Sequence, residues 1–502
     1  SGPGAAGRRL AVATECPTCG APLDFSEGSN AIRCGHCRSN LLVTGRGQIL
    51  SYAISPRASE KKVRVAARRL AGDRGATVSD PRLFFVPFYR ITGQEFGWRR
   101  PAPKLKMSRT LSESTGDTSR ELEWGGRWGG DYRGSFAELL LEAGLALFER
   151  LTRVKERTGD RELKQSRPAI PTPVRPPLFT FAGSEPLEFG HRHIEKNFAA
   201  GGGEGLGVYS LGVRSSVLRL ELFDAARLAG SGSLLSVGLD PAIALERGLM
   251  GGDGSVVSRQ TAGVVVSLIY FPFWIARIEE KSGPRVVAID GVTGGVASPN
   301  VSGSMFESGG DPASRVTSQV AGFRPLVCPN CGWDLPVHAE DVIFFCNSCL
   351  RAWKIEGNEL KGISHQIASL KDGFQVSSDD LYLPFWVVDA TLHEDRRKVF
   401  VPAFRYRQLK HLQMLGTRIS QLQPEVTTIA EPLCPVHGAH YDEADGAGIA
   451  RFLHAGLVPS KDHPDVSASF SSPRLLWIPF SRKGNFLFDP FLGSNLFANL
   501  LH

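Results

Sequence analysis

The chain has 502 residues, 42% of them hydrophobic and 22% charged, with a net charge of +7. A chain of this length and composition folds into roughly two to four packed domains, which excludes disordered and fibrous classes. So small an excess of positive charge does not by itself imply a nucleic-acid partner.

Residues 1–15 read as a lead-in without the apolar core of a secretory signal. The first chemical motif follows: Cys16, Cys19, Cys34 and Cys37, two Cys-x-x-Cys pairs separated by 14 residues. The same spacing returns at Cys328, Cys331, Cys346 and Cys349, and in both copies the first pair reads Cys-Pro-x-Cys-Gly. Each pair suits a tight turn that aims two thiolates at one ion, and two such knuckles complete a tetrahedral site. The proline presets one turn angle, and the glycine permits positive φ after the second ligand. Eight of the nine cysteines are used in this way, with Cys434 left alone. Thiols that must stay reduced until metal arrives point to a reducing, cytoplasmic compartment.

These two segments resemble zinc-ribbon modules, and the resemblance covers about sixty of the 502 residues. It implies two structural zinc ions and a small β fold, and no substrate. Iron in a rubredoxin-like site would use the same ligands. The knuckles of such sites usually lie further apart, and both usually carry the proline-glycine grammar, whereas here the second knuckles read CGHC and CNSC. Together with the strands described next, the ribbons resemble bacterial zinc-ribbon proteins with repeated Pro-Phe/Trp strands, a likeness that implies no activity.

After the first ribbon, SPRASEKKVRVAARRLAGDRG predicts a helix carrying Arg57, Lys61, Lys62, Arg64, Arg68 and Arg69. Its reading is either a solvated face on a packed helix or a phosphate-binding face. A strand with a central Pro-Phe then occurs at RLFFVPFYRI and returns at 268–280, 381–394 and 475–485. Proline donates no ladder hydrogen bond, so each is expected at a sheet edge, a strand start or a bulge. Aromatics on both faces of the pleat imply burial on both sides. The run Ala262–Ile278 reads as a buried strand pair; it is too short, too β-branched and too interrupted by proline for a membrane span. Two of the strands lead to Asp-x-x-x-Gly (Asp290/Gly294 and Asp489/Gly493), read as hairpins ending in Asx turns.

Helices are also expected at Ser135–Gly159, Ser215–Leu228, Pro241–Leu249, Arg405–Leu422 and Ala444–Ala455. Residues 105–132 read as loop and 166–178 as a proline-rich strap. The fold class is therefore α+β and β-rich: two zinc ribbons, each followed by a mixed sheet and helix lobe, through internal duplication. The boundaries are 1–50 for the lead-in and first ribbon, 51–300 for the first lobe, 301–325 for a linker, 326–362 for the second ribbon and 363–502 for the second lobe. The ribbons are expected to be separable.

There is no P-loop, no His-Glu-x-x-His and no nucleophile elbow, and GGGEGLG at 201–207 does not fit a dinucleotide loop. Cys434, His437 and His440 have ligand-like spacing but lack a fourth candidate in sequence, and read as an unmetallated loop. His191 and His193 share a face if on a strand and read as structural. The functional expectation is a non-catalytic scaffold or adaptor subunit with protein partners and no small-molecule substrate. The alternatives are a nucleic-acid-binding factor using the first ribbon with the helices at 57–69 and 405–418, and an electron-transfer subunit with iron in the four-cysteine sites.

Overall fold

The four Pro-Phe strands form the centres of two sheets. The computed structural model describes residues 10–45, 49–71, 76–99, 188–208, 219–249, 256–301, 321–369, 377–392, 395–457 and 468–501. The helix expected at 135–159, the loop at 105–132 and the strap at 166–178 lie outside them.

Ribbon one contains β1 (Ala11–Glu15), β2 (Pro22–Ser26), β3 (Ala31–Arg33) and β4 (Asn40–Thr44). The first lobe follows with β5 (Leu50–Ala53), α1 (Glu60–Leu70), β6 (Thr77–Val78), β7 (Arg82–Arg99), β8 (Glu188–Ala199), α2 (Gly203–Leu206) and β9 (Arg219–Leu222). It continues with α3 (Ala225–Ser231), β10 (Ser233–Leu234), α4 (Pro241–Leu249), β11 (Val256–Glu280), β12 (Gly283–Asp290) and β13 (Val296–Ser298). Ribbon two has β14 (Gly322–Pro325), β15 (Ile343–Cys346), β16 (Arg351–Glu356) and β17 (Glu359–Ile363). The second lobe has β18 (His365–Ala368), β19 (Leu381–Leu392), β20 (Asp395–Pro402), α5 (Leu409–Leu422), β21 (Thr428–Ile429), α6 (Glu443–Leu457), β22 (Ser469–Phe470), β23 (Arg474–Lys483), β24 (Phe486–Phe488) and β25 (Asn495–Phe497). The chain is strand-rich with helices on the sheets, as the composition of its apolar runs implied.

In the first sheet β8, β7, β11, β5 and β9 are neighbours in that order; in the second, β20, β19, β23, β18 and β21 are. The relative directions also match, with β5 parallel to β11 and β18 parallel to β23, and the other neighbours in these two orders antiparallel. So does the register: Pro87 faces Tyr270 and Pro272 faces Phe85, while Pro384 faces Trp477 and Pro479 faces Tyr382. In each case the proline opposes the residue two before its partner's proline.

These prolines are not at sheet edges. Each stands at a seam, where one flank of its strand changes partner. Pro272 lies between the β5 pairing, which ends at Tyr270, and the β12 pairing, which begins at Phe273. Pro479 lies between β18 and β24 in the same way, and Pro87 between β10 and β8. A missing N–H costs nothing at a position with no strand opposite, so proline fits the sheet's interior there. The flanking aromatics, Phe85, Phe88, Phe273, Phe385 and Phe480 among them, are buried.

The expected strand pair at 262–278 is one strand, β11, of 25 residues. Its register shifts between Ala262 and Val265, with Gly263 at φ 58°. This bulge bends the strand instead of reversing it. Of the helix expected at 215–228, 215–218 lie outside the described residues and the rest is split between strand and helix, because Arg219–Leu222 pairs with β1 and β5, and Asp224 then caps α3 through Arg227 N–H (3.0 Å). Both Asx turns form: Asp290 Oδ1 accepts from Val292 and Thr293, and Asp489 Oδ1 from Phe491 and Leu492.

The ribbons are built into their neighbours. Ribbon one's β1 extends the first sheet by pairing with β9. Its Glu27, 2% exposed, is held at 2.7 Å by Arg90 of β7, 1% exposed, which also reaches Glu195 at 2.8 Å. Of the expected linker, 302–320 lies outside the described residues, and Gly322–Pro325 is β14, paired with β4 of ribbon one. The two lobes meet where α6 crosses β11. Phe452 stacks on Trp98 with ring centroids 5.3 Å apart, and Gly263 N–H donates to Asp445 Oδ2 (3.1 Å).

Burial, with Asp442 nearby, pushes the Asp445 carboxyl up to about 6. Its neutral form is favoured in the fold, so this contribution is full below roughly pH 4 and is lost as pH rises through about 6. Asp445→Asn keeps the acceptor for Gly263 and removes the charge. Denaturant titrations should find it more stable than wild type by about 1 kcal/mol at about pH 8, with a flatter profile between about pH 4 and 6.

Candidate metal centres

In all four knuckles the residue after the second cysteine returns a main-chain hydrogen bond to the first: Gly20 to Cys16, Arg38 to Cys34, Gly332 to Cys328 and Leu350 to Cys346, at 2.8–3.0 Å. All four donors lie in the left-handed region, with φ of 71°, 62°, 76° and 57°. The glycine grammar of the first knuckles is thus a conformational requirement. The second knuckles meet it with Arg38 and Leu350, at some cost.

The sulfurs converge. Cys16 and Cys37 are 3.8 Å apart, Cys19 and Cys34 3.9 Å, and the two corresponding pairs in ribbon two 3.5 Å each. A tetrahedron with metal–sulfur arms of about 2.3 Å has edges of about 3.8 Å. All eight predicted cysteines are brought together in two fours, each able to hold a metal ion. The surroundings favour thiolates at particular positions. The Ser39 hydroxyl and N–H lower the Cys37 thiol to about 6. Burial raises Cys328, but main-chain N–H groups of Cys331 and Asn330 outweigh it and lower that thiol to about 7.

The two centres share one support. Asn30 and Ala31 of ribbon one donate their N–H groups to Ala339 O, and the Asn30 side chain donates to Glu340 O (3.2 Å). Asn40 Nδ2 donates to Leu335 O (3.0 Å), and Leu326 N–H to Asn40 O (2.8 Å). Ala31 and Leu42 share one apolar cluster with Leu335, Phe344, Cys328 and Cys346.

A third group lies beyond this joint. His338 and Asp341 of ribbon two and His437 of the second lobe each offer one ligand atom, all within 4.8 Å of one another. Two buried tryptophans of the Pro-Phe strands grip the loop carrying His437: Trp477 Nε1 donates to His437 O (2.8 Å) and Trp386 Nε1 to Tyr441 O (2.9 Å). His440 takes another path, its Nδ1–H donating to Glu340 O (3.0 Å). Cys434 packs against the second lobe's core, and burial pushes its thiol up to about 12. Of the three residues at ligand-like spacing, only His437 enters a group, and its companions come from about a hundred residues earlier. His191 and His193 lie on β8, opposite Phe96 and Gln94.

Compared with known proteins, the chain matches no family model, no curated protein and no solved structure.

Exposed Arg38 keeps positive φ without a side-chain need for it. Arg38→Gly should raise stability by about 0.5–1 kcal/mol and leave metal content unchanged, as checked by denaturant unfolding with metal analysis.

Proposed function

We propose that the chain is a non-catalytic scaffold or adaptor subunit braced by two structural zinc ions. The observation that carries this reading is the closure of both four-thiolate sets. A site with four cysteine ligands leaves no coordination position for a substrate, so its ion contributes folding energy. The short spacing between knuckles favours zinc over iron. The matched order, direction and register of the two sheets support descent by internal duplication of a ribbon-and-sheet unit. Eight thiols kept for metal support a cytoplasmic site of action. Among the described residues no helix is long and apolar enough to cross a membrane.

The surface offered to a protein partner includes Trp333, 67% exposed at the tip of a ribbon-two knuckle. A large aromatic on a metal-rigidified turn can bury much area at little entropic cost. The nucleic-acid alternative draws less support from α1. Lys62 Nζ donates to Thr293 O (2.6 Å), and Arg64 pairs with Glu60 (2.6 Å) and Asp80. The second basic helix, expected from Arg405, begins at Leu409 as α5, and Arg405 ahead of it is engaged by Glu340. Those cations are used within the fold. The counterpart of α1 would be Asn358–Gly373; its described residues, 358–369, form the last strand of ribbon two, β17, and β18, with no helix among them.

Affinity purification of the native protein tests this reading. A protein partner should co-purify with a colourless, zinc-containing chain, and Trp333→Ala should lower recovery roughly tenfold without loss of zinc. Tight duplex DNA binding with a log–log salt slope of several units would replace the scaffold reading. A red, iron-bearing protein would replace it with electron transfer.

A further inference from the structure

We propose that His338, Asp341 and His437 form a third metal site, a mononuclear one for a divalent transition ion of the zinc class. The residues come from two parts of the chain and converge in the interior. Asp341 is 2% exposed and His437 4% exposed, while His338 is half-buried and opens the site on one side. Asp341 N–H donates to His338 O (3.2 Å), a turn that sets these two side chains together. The His338 and His437 rings are stacked with centroids 4.2 Å apart.

Three further features point to a cation. Asp341 Oδ2 is buried and has no hydrogen-bond partner. A buried carboxylate oxygen without a donor is costly unless a cation or a proton satisfies it. Arg405, a cation whose charge acts on Asp341, is itself engaged by Glu340. Space is also reserved: a Cβ on Gly438 would collide with Asp341 Oδ2, so glycine there leaves the carboxylate its place. The His437 imidazole has the hydrogen bond that sets the tautomer of ligating histidines. Its Nδ1 lies 2.8 Å from Gly438 O, and a carbonyl can only accept, so Nδ1 carries the proton and Nε2 the lone pair.

Two imidazoles and one carboxylate are hard-to-borderline donors that suit zinc and its first-row neighbours, and calcium or magnesium poorly. The set leaves a position for water on the His338 side, unlike the closed thiolate sites. An ion here would join ribbon two to the second lobe directly.

Cobalt titration of the full chain tests the site. The protein is treated with a mild chelator, and cobalt alone is added back and counted by metal analysis. Thiolate-to-cobalt charge transfer reports the ribbons, and an oxygen–nitrogen site adds only ligand-field absorption. Wild type should take up about three ions per chain, about two with thiolate character and one without. Asp341→Asn and His338→Gln should each lose the third ion or bind it at least ~10-fold more weakly, with both thiolate sites still filled. His338 is half-buried and carries little of the packing, so its variant decides if the Asp341 variant does not fold. Saturation of wild type at two ions, or a third ion held equally well by the His338 variant, would overturn the proposal.

Discussion

The chain from Leu335 to Asp341, between the two knuckles of ribbon two, carries the connections on which the arrangement depends. Its carbonyls at Leu335, Ala339 and Glu340 receive donors from Asn40, Asn30, Ala31 and His440. The Glu340 carboxylate, 8% exposed, engages Arg405 ahead of α5. A loop makes such bonds only if its own conformation is fixed. The knuckles at Cys328–Cys331 and Cys346–Cys349 flank its two ends, so an ion held by the four thiolates would pass order on to ribbon one and the second lobe.

The sheets solve a different problem. Long apolar strands with every N–H available would pair indiscriminately along their length. Placing a proline where the flanking partner changes marks the end of one pairing and the start of the next, at no loss of a ladder bond. That Pro87, Pro272, Pro384 and Pro479 share one register follows from this rule applied twice. The bulge at Gly263 then lets β11 run past its own lobe, so that Phe96, Trp98 and Ala262 join the second lobe's core.

What could be read in the sequence was local. The eight cysteines, their knuckles, the Asx turns at Asp290 and Asp489, and α1, α4, α5 and α6 each depend on residues within a few positions of one another. The prolines were legible as special but not as seams, because a seam is defined by two partners at once, and one of each pair, β5 or β18, lies more than a hundred residues from its proline. The group at His338 was not legible at all. His338 and Asp341 stand three residues apart, but His437 lies about a hundred residues later, and its own companions at ligand-like spacing, Cys434 and His440, do not join it. The signal that could have found it is Asp341, an acidic residue two positions before the buried strand Ile343–Cys346. The ribbons' union escaped for the same reason: β4 and β14 pair across almost three hundred residues.

Amide hydrogen exchange in a Cys346→Ser protein tests most directly whether ribbon two orders its neighbour. Loss of that ligand should release the loop, so the Asn30 and Ala31 amides of ribbon one should lose protection by about the same factor as Val342 and Ile343. Unchanged protection at Asn30 and Ala31, with ribbon two exchanging freely, would show that the ribbons are independent and contradict the account.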